Sequence, residues 1–234
     1  MKLLIQKILD KLGLKIKKLK NNKFKISFLN YEISSINPNY YDYPNEADVS
    51  EIELMNEILR PDDFKKRLSM TSPQRLWAAI SAAKYIHNNN IEGDVIECGV
   101  WRGGCSLVIA KTLEKLGSNK KIYLFDTFAG MTAPQEYDKK SETGKSALEM
   151  YNSSKTDYGS SWCYGSLEDV KSLFESYGLM DKVIFLKGDV CKTLKNPSNL
   201  PLNISLLRLD TDWYESTKIE LETLYPKLSK NGVL

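Results

Sequence analysis

The chain has 234 residues, of which 42% are hydrophobic and 27% charged; this is enough to bury one sizeable α/β domain with a peripheral segment and too little for two full domains. Its net charge of +3 conceals an asymmetry, because residues 1–25 hold nine lysines against the single acid Asp10 while the rest is net acidic, so no nucleic-acid footprint runs across the protein. Four cysteines with no C-x-x-C pair and a single histidine, His87, exclude a zinc site of the usual kind and point to reduced thiols.

The opening stretch "MKLLIQKILDKLGLKIKKLK" is broken by charge every three or four residues. It therefore lacks the apolar run of a signal peptide or a membrane span, and the expected location is cytoplasmic. Ile5, Ile8, Leu9, Leu12, Ile16 and Leu19 follow helical spacing with lysines between them, which predicts a basic amphipathic helix. Such a helix covers its own domain or a second copy of the chain, as in a homo-oligomer; peripheral contact of residues 1–25 with an anionic membrane is the alternative. Residues 26–68 are polar and tyrosine-rich, with one helix predicted near 50–59 that stops at Pro61. The expected division is an N-terminal helix and cap or lid over 1–67, followed by the main domain over 68–234.

In "TSPQRLWAAISAAKYIHN", Ser72 offers an N-cap, Pro73 the first helical position, and Leu76, Ile80, Ala83 and Ile86 an apolar stripe, so a helix is predicted over 73–87. Short β-branched runs then alternate with helical patterns. "DVIECGV" leads to a helix over 104–116, and "KIYLFDTF" to a long insert; "SLEDVKSLFESYG", "KVIFLKGDV", "ISLLRLD" and "STKIELETLYPKL" follow. This alternation predicts an α/β fold with a doubly wound, mostly parallel, Rossmann-like sheet, in which ligands bind beyond the carboxyl ends of the strands. Those ends carry Glu97 with Gly99, Asp126, Asp189 and Asp210.

The loop "GVWRGG" has Trp101 where the dinucleotide fingerprint has its second glycine, which disfavours a dinucleotide. Gly99 and Gly103 permit close backbone approach to a ligand, and Glu97 at the head of the turn would repel a pyrophosphate and suit a cation. S-adenosylmethionine fits: it is cationic, needs no phosphate cradle, and offers a ribose diol to Asp126 and an adenine amine to Asp189. Glu97, Gly99, Trp101, Gly103, Asp126 and Asp189 are thus the predicted cofactor residues. His87 ends the helix before the first strand, at the opposite edge of the sheet from this site, and is not expected to serve as a base.

The segments "GDVIECGVWRGG", "IYLFDTFAGM", "YGLMDKVIFLKGD" and "LRLDTDWYESTKIELETLYPKLSKNG" together resemble the macrocin and mycinamicin O-methyltransferase family over residues 68–234. That resemblance implies methyl transfer from S-adenosylmethionine to a sugar hydroxyl with a divalent metal. It implies a methionine like Met70, in "RLSMTSPQRL", lying over the cofactor. It also implies that Asp210 is a catalytic Mg²⁺ ligand that positions the acceptor, a small molecule or glycan. An oxygen-only site of this kind suits a chain poor in histidine. Asp212 either joins as a ligand or caps the next helix, and Trp213 and Tyr214 offer stacking surfaces.

Residues 129–165 are too long for an ordinary connection and carry the anchors Tyr151, Trp162 and Tyr164, so an acceptor-binding lid is expected. Two alternatives stand beside the methyltransferase reading: a nicotinamide-dependent oxidoreductase or epimerase using Asp126 for its ribose, and a non-catalytic scaffold that retains the cofactor fold. Leu234 falls where the fifth strand begins. In the family that strand leads to further metal-binding carboxylates and two more strands, so the sheet is expected to be truncated there, with an open apolar edge on the fourth strand and weak Mg²⁺ binding.

Overall fold

The computed structural model describes residues 14–18, 24–28, 31–36, 42–60, 63–139, 144, 146–157 and 159–234. The chain divides into two compact units, residues 1–42 with 61–63 and residues 43–60 with 64–234. In the smaller unit β1 (Leu14–Lys18), β2 (Phe24–Phe28) and β3 (Tyr31–Ile36) form an antiparallel sheet in that order. This corrects the predicted helix at Ile16, which lies in β1 opposite Ile26. The runs "LKIKK" and "FKISF" alternate apolar and polar positions with a period of two, and cross-strand pairing realises that period rather than the helical one. Ile5, Ile8, Leu9, Leu12 and Leu19 lie outside the described residues.

The larger unit begins before the boundary expected at residue 67. Helix α1 (Val49–Leu59) belongs to it, closed at its start by Asp48, whose Oδ1 accepts from Glu51 N at 2.9 Å while its own N–H donates to Glu51 Oε2 at 2.9 Å. Such reciprocal caps satisfy two of the donors a helix start leaves open. The helix buries Met55, Ile58 and Leu59 and packs on α2 (Pro73–Asn88) and α3 (Gly104–Lys115). Ser72 and Pro73 start α2 as their residue types dictate.

β4 (Asp94–Cys98) precedes α3, and β5 (Ile122–Asp126) follows it. The insert contains α4 (Ala147–Ser154) and a minimal hairpin of β6 (Lys155–Thr156) and β7 (Gly159–Ser160). Next come α5 (Leu167–Ser176), β8 (Val183–Lys187), α6 (Val190–Thr193), β9 (Ile204–Leu209), α7 (Tyr214–Leu224) and β10 (Leu228–Val233). The sheet runs β10-β9-β4-β5-β8, with every pairing parallel. This is the doubly wound order, with β4 at the switch between β5 and β9.

Successive strand residues face opposite sides of the sheet. Ile96, Cys98 and Phe125 point into one core layer with Val190, Leu194, Ile204, Leu207 and Leu224; Leu107 and Val108 of α3 are fully buried elsewhere in the interior. The expected open edge on the fourth strand is not observed along its first half. β10 pairs there, with Leu228 opposite Ile204 and Val233 opposite Leu206 across a register shift.

Candidate active site

One cavity lies beyond the carboxyl ends of the strands, and Met70, Gly99, Trp101, Asp126, Asp189 and Asp210 all line it. Two predicted members, Glu97 and Gly103, do not. The cavity therefore gathers six of the eight residues singled out from the sequence.

Asp126 ends β5 and fastens the loop after β4. Its Oδ2 accepts from Val100 N at 2.6 Å and Trp101 N at 3.0 Å, and its Oδ1 accepts from Phe128 N at 2.7 Å. A carboxylate offers about four lone-pair sites, so little capacity remains beyond these bonds. The loop it holds is bent through Gly99 at φ +85°, Trp101 at +51° and Gly103 at +81°. Left-handed backbone at a tryptophan is strained. The chain itself requires both glycines: a Cβ on Gly99 would lie 2.2 Å from the Asp210 carbonyl oxygen, and one on Gly103 would meet Val170 at 3.0 Å. Asp189 likewise serves the chain, since it caps α6 by accepting from Cys191 N at 2.9 Å.

Glu97 departs most from expectation. It is 1% exposed, and the register that sets it beside Arg208 on β9 gives an ion pair of 2.6 Å from Arg208 Nη1 to its Oε1. Its other oxygen accepts from the Ser106 hydroxyl of α3. Burial raises its proton affinity, to a pKa of about 7; Arg208 opposes this, and Asp210 and Asp126 add to it. A buried carboxylate is tolerable only when paired, so Glu97 is a matched charge behind the cavity wall and not a free anion aimed at a ligand.

The end of β9 is charged and open. Arg208 Nη2 reaches Asp210 Oδ2 at 2.8 Å, and that carboxylate is 55% exposed. Asp212 has φ +69°, lines the same cavity, and has its carboxyl pushed up by burial and then by Asp210. Between them Thr211 donates to Glu220 Oε1 at 2.9 Å. Glu220 is fully buried on α7, its Oε2 has no partner, and its pKa is pushed up to about 7, chiefly by burial.

The insert is tied to this end. Trp213 Nε1 donates to the Thr132 carbonyl at 3.1 Å, Tyr214 N donates to Asp138 Oδ1 at 3.1 Å, and Tyr137 donates to Glu215 Oε1 at 2.5 Å. Trp162 meets Trp213 edge to face, with centroids 5.6 Å apart. Of the predicted anchors, Trp162 thus bears directly on the site.

Comparison with known proteins places this geometry. The family described as Macrocin-O-methyltransferase (TylF) matches residues 6–234. This chain belongs to the macrocin O-methyltransferase family. It is 34% identical over 146 residues to the 8-demethyl-8-(2,3-dimethoxy-alpha-L-rhamnosyl)-tetracenomycin-C 4'-O-methyltransferase of Streptomyces olivaceus, covering 62% of this chain and 52% of that protein. It is 32% identical over 166 residues to the demethyldecarbamoylnovobiocin O-methyltransferase of Streptomyces niveus, covering 70% and 59%. The chain thus spans about half the length of these relatives. The solved structure of the O-methyltransferase NovP matches with a TM-score of 0.61 and 31% identity, covering 77% of this chain and 71% of that one.

Several cavity residues of this family member escaped the sequence reading: Thr71, Arg75, Thr132, Cys163 and Ser216. Arg208 had a signal, a charge inside the apolar run "ISLLRLD", which demands a partner when buried. Among the described residues no three His, Cys, Asp or Glu side chains converge as a metal cage, and none of the helices is long and apolar enough to cross a membrane.

Proposed function

We propose that this protein is an S-adenosylmethionine-dependent O-methyltransferase that acts on a sugar hydroxyl of a glycoside, polysaccharide or glycosylated natural product. The observation that carries the reading is the convergence of Asp126, Asp189, Asp210 and Asp212 on one cavity at the switch point, in a chain of this family. S-adenosylmethionine supplies an electrophilic methyl group when bound. Met70, 48% exposed at the cavity, and Trp101 give apolar surface for it. Asp189 caps α6 through Oδ1 and lines the cavity, where its carboxylate would accept from a donor on the ligand. Asp126 acts in this reading chiefly by holding the loop rigid.

Mg²⁺ is bound in proteins through one or two carboxylates, with waters and substrate oxygens completing the shell. Asp210 and Asp212 fit that donor set; burial and then the neighbouring Asp210 raise the Asp212 carboxyl, and a cation held by this pair would favour its ionised form. Mg²⁺ held there would supply a lowered pKa for an alcohol nucleophile. Asp210 is kept in place by Arg208, whose second nitrogen is anchored on Glu97, so the buried pair serves as the mounting of the acceptor side.

Calorimetry of the full chain against S-adenosylmethionine, S-adenosylhomocysteine and NADH tests the reading. Dissociation constants of roughly 1 μM to 1 mM are expected for the first two. Binding of NADH in place of both would reject it in favour of an oxidoreductase.

A further inference from the structure

Beside the cavity, and sharing Asp212 with it, lies a groove of about 620 Å³ between the insert and the outer face of α7, within the roughly 300–1,000 Å³ of small-molecule sites. Its walls are Tyr137 from the insert and Tyr214 from the start of α7, with Leu221 about two turns further along the helix. The rings meet edge to face with centroids 5.3 Å apart, yet they remain 52% and 59% exposed. Two large aromatic surfaces are therefore left to solvent in a fixed arrangement.

They are fixed because both sides are bonded. Tyr137 is held by its phenol on Glu215 at 2.5 Å, and the Tyr214 backbone by the Asp138 carboxylate at 3.1 Å; Asp138 is itself 7% exposed and accepts from Gln135 N at 2.7 Å. The rim carries both signs, Lys139 and Lys218 against Glu222 and Asp212. An anionic ligand would call for basic groups alone. A neutral polyol with an apolar C–H face, donors and acceptors matches aromatic walls with a mixed rim.

We infer that this groove is a second acceptor subsite, which binds the sugar ring adjacent to the one presented at Asp210 and Asp212, so that the acceptor is a glycan of at least two sugar units. The inference rests on the methyltransferase reading above. Tyr214 stacks on the distal ring, and Asp212 stands between the two subsites.

The test uses the full chain saturated with S-adenosylhomocysteine. It is titrated with methyl hexopyranosides and 6-deoxyhexopyranosides, with the matching disaccharide methyl glycosides, and with p-nitrophenyl monoglycosides, read by tryptophan fluorescence and saturation-transfer NMR. At least one disaccharide is expected to bind about ten-fold more tightly than its monosaccharide. Tyr214→Ala should erase that advantage and Tyr214→Phe retain it. Leu221→Arg, at a position already 39% exposed, should erase it by filling the groove without disturbing the core. Equal binding of mono- and disaccharides, no disaccharide binding, or an advantage that survives both Tyr214→Ala and Leu221→Arg would each overturn the subsite. If p-nitrophenyl monoglycosides match the disaccharides, the groove takes an aglycone and the sugar assignment is wrong. Failure of the wild-type chain to bind S-adenosylhomocysteine is a separate result, which removes the methyltransferase reading itself.

Discussion

At the ends of β4 and β5 the polar groups are spent on the chain itself, whereas at the end of β9 they face the cavity. Asp126 accepts three backbone N–H bonds and Glu97 is buried against Arg208 and Ser106. Asp210 and Asp212, by contrast, put two carboxylates on one surface with a single guanidinium between Asp210 and the interior. The first region is preorganised by hydrogen bonds it already makes, and the second carries two carboxylates on the cavity, one of them paired to Arg208. A binding half that needs rigidity and a reacting half that needs electrostatic reach are built differently for that reason.

The largest expected effect breaks the second half alone. Asp210→Asn should lower methyl transfer by about 10²–10³-fold while S-adenosylmethionine affinity stays within a few-fold, measured by turnover and calorimetry side by side. Unimpaired turnover would reduce Asp210 to a partner for Arg208. Next comes the joint between the halves. Gly99→Ala forces a Cβ into the Asp210 carbonyl at 2.2 Å on a backbone of φ +85°, and should destabilise the fold by about 3 kcal/mol or more. Urea denaturation checks this, and a loss under about 1 kcal/mol would show that the two strand ends are not in contact.

A smaller effect sharpens the first half. Asp126→Asn keeps one acceptor but turns an amide NH₂ toward backbone donors, so stability should fall by about 1–2 kcal/mol and cofactor affinity by roughly ten-fold. If affinity falls and stability does not, Asp126 holds the ligand and not the loop.

Much of this division was legible in the sequence, and its limits are instructive. Ser72–Pro73 announced α2, and a carboxylate after each of β5, β8 and β9 located the cavity, because the doubly wound order brings strand ends together whatever their separation in sequence. The role of Glu97 was not legible. Its partner Arg208 lies 111 positions away, and only the β4–β9 register makes them neighbours. Gly103 was grouped with Gly99 as a cavity glycine, and only Gly99 lines the cavity, since a glycine's type records a backbone need without saying whose atoms fill the space. β1 was missed where "LKIKK" satisfies two periods at once and pairing with β2 selects one. The fastening of Tyr137 and Tyr214 depends on a tertiary contact between the insert and α7 that no local pattern encodes.

The smallest effect concerns Glu220, the buried carboxylate beneath Thr211. Its folded pKa of about 7 lies above the ordinary value of 4.5, so between these two pH values the folded state binds more protons than the unfolded one. Stability from this group is therefore greatest at low pH and falls as the pH rises, with the full penalty present above about 7. Glu220→Gln keeps the shape and an acceptor for Thr211 and removes the titration. Relative to wild type it should be near neutral at pH 5 and more stable by on the order of 1 kcal/mol at pH 8, as read from urea midpoints at both pH values. A variant less stable at pH 8 than at pH 5, relative to wild type, would mean that the Glu220 carboxylate is held ionised by a partner on the β9 side. The β9 side would then be as internally satisfied as the β4–β5 side.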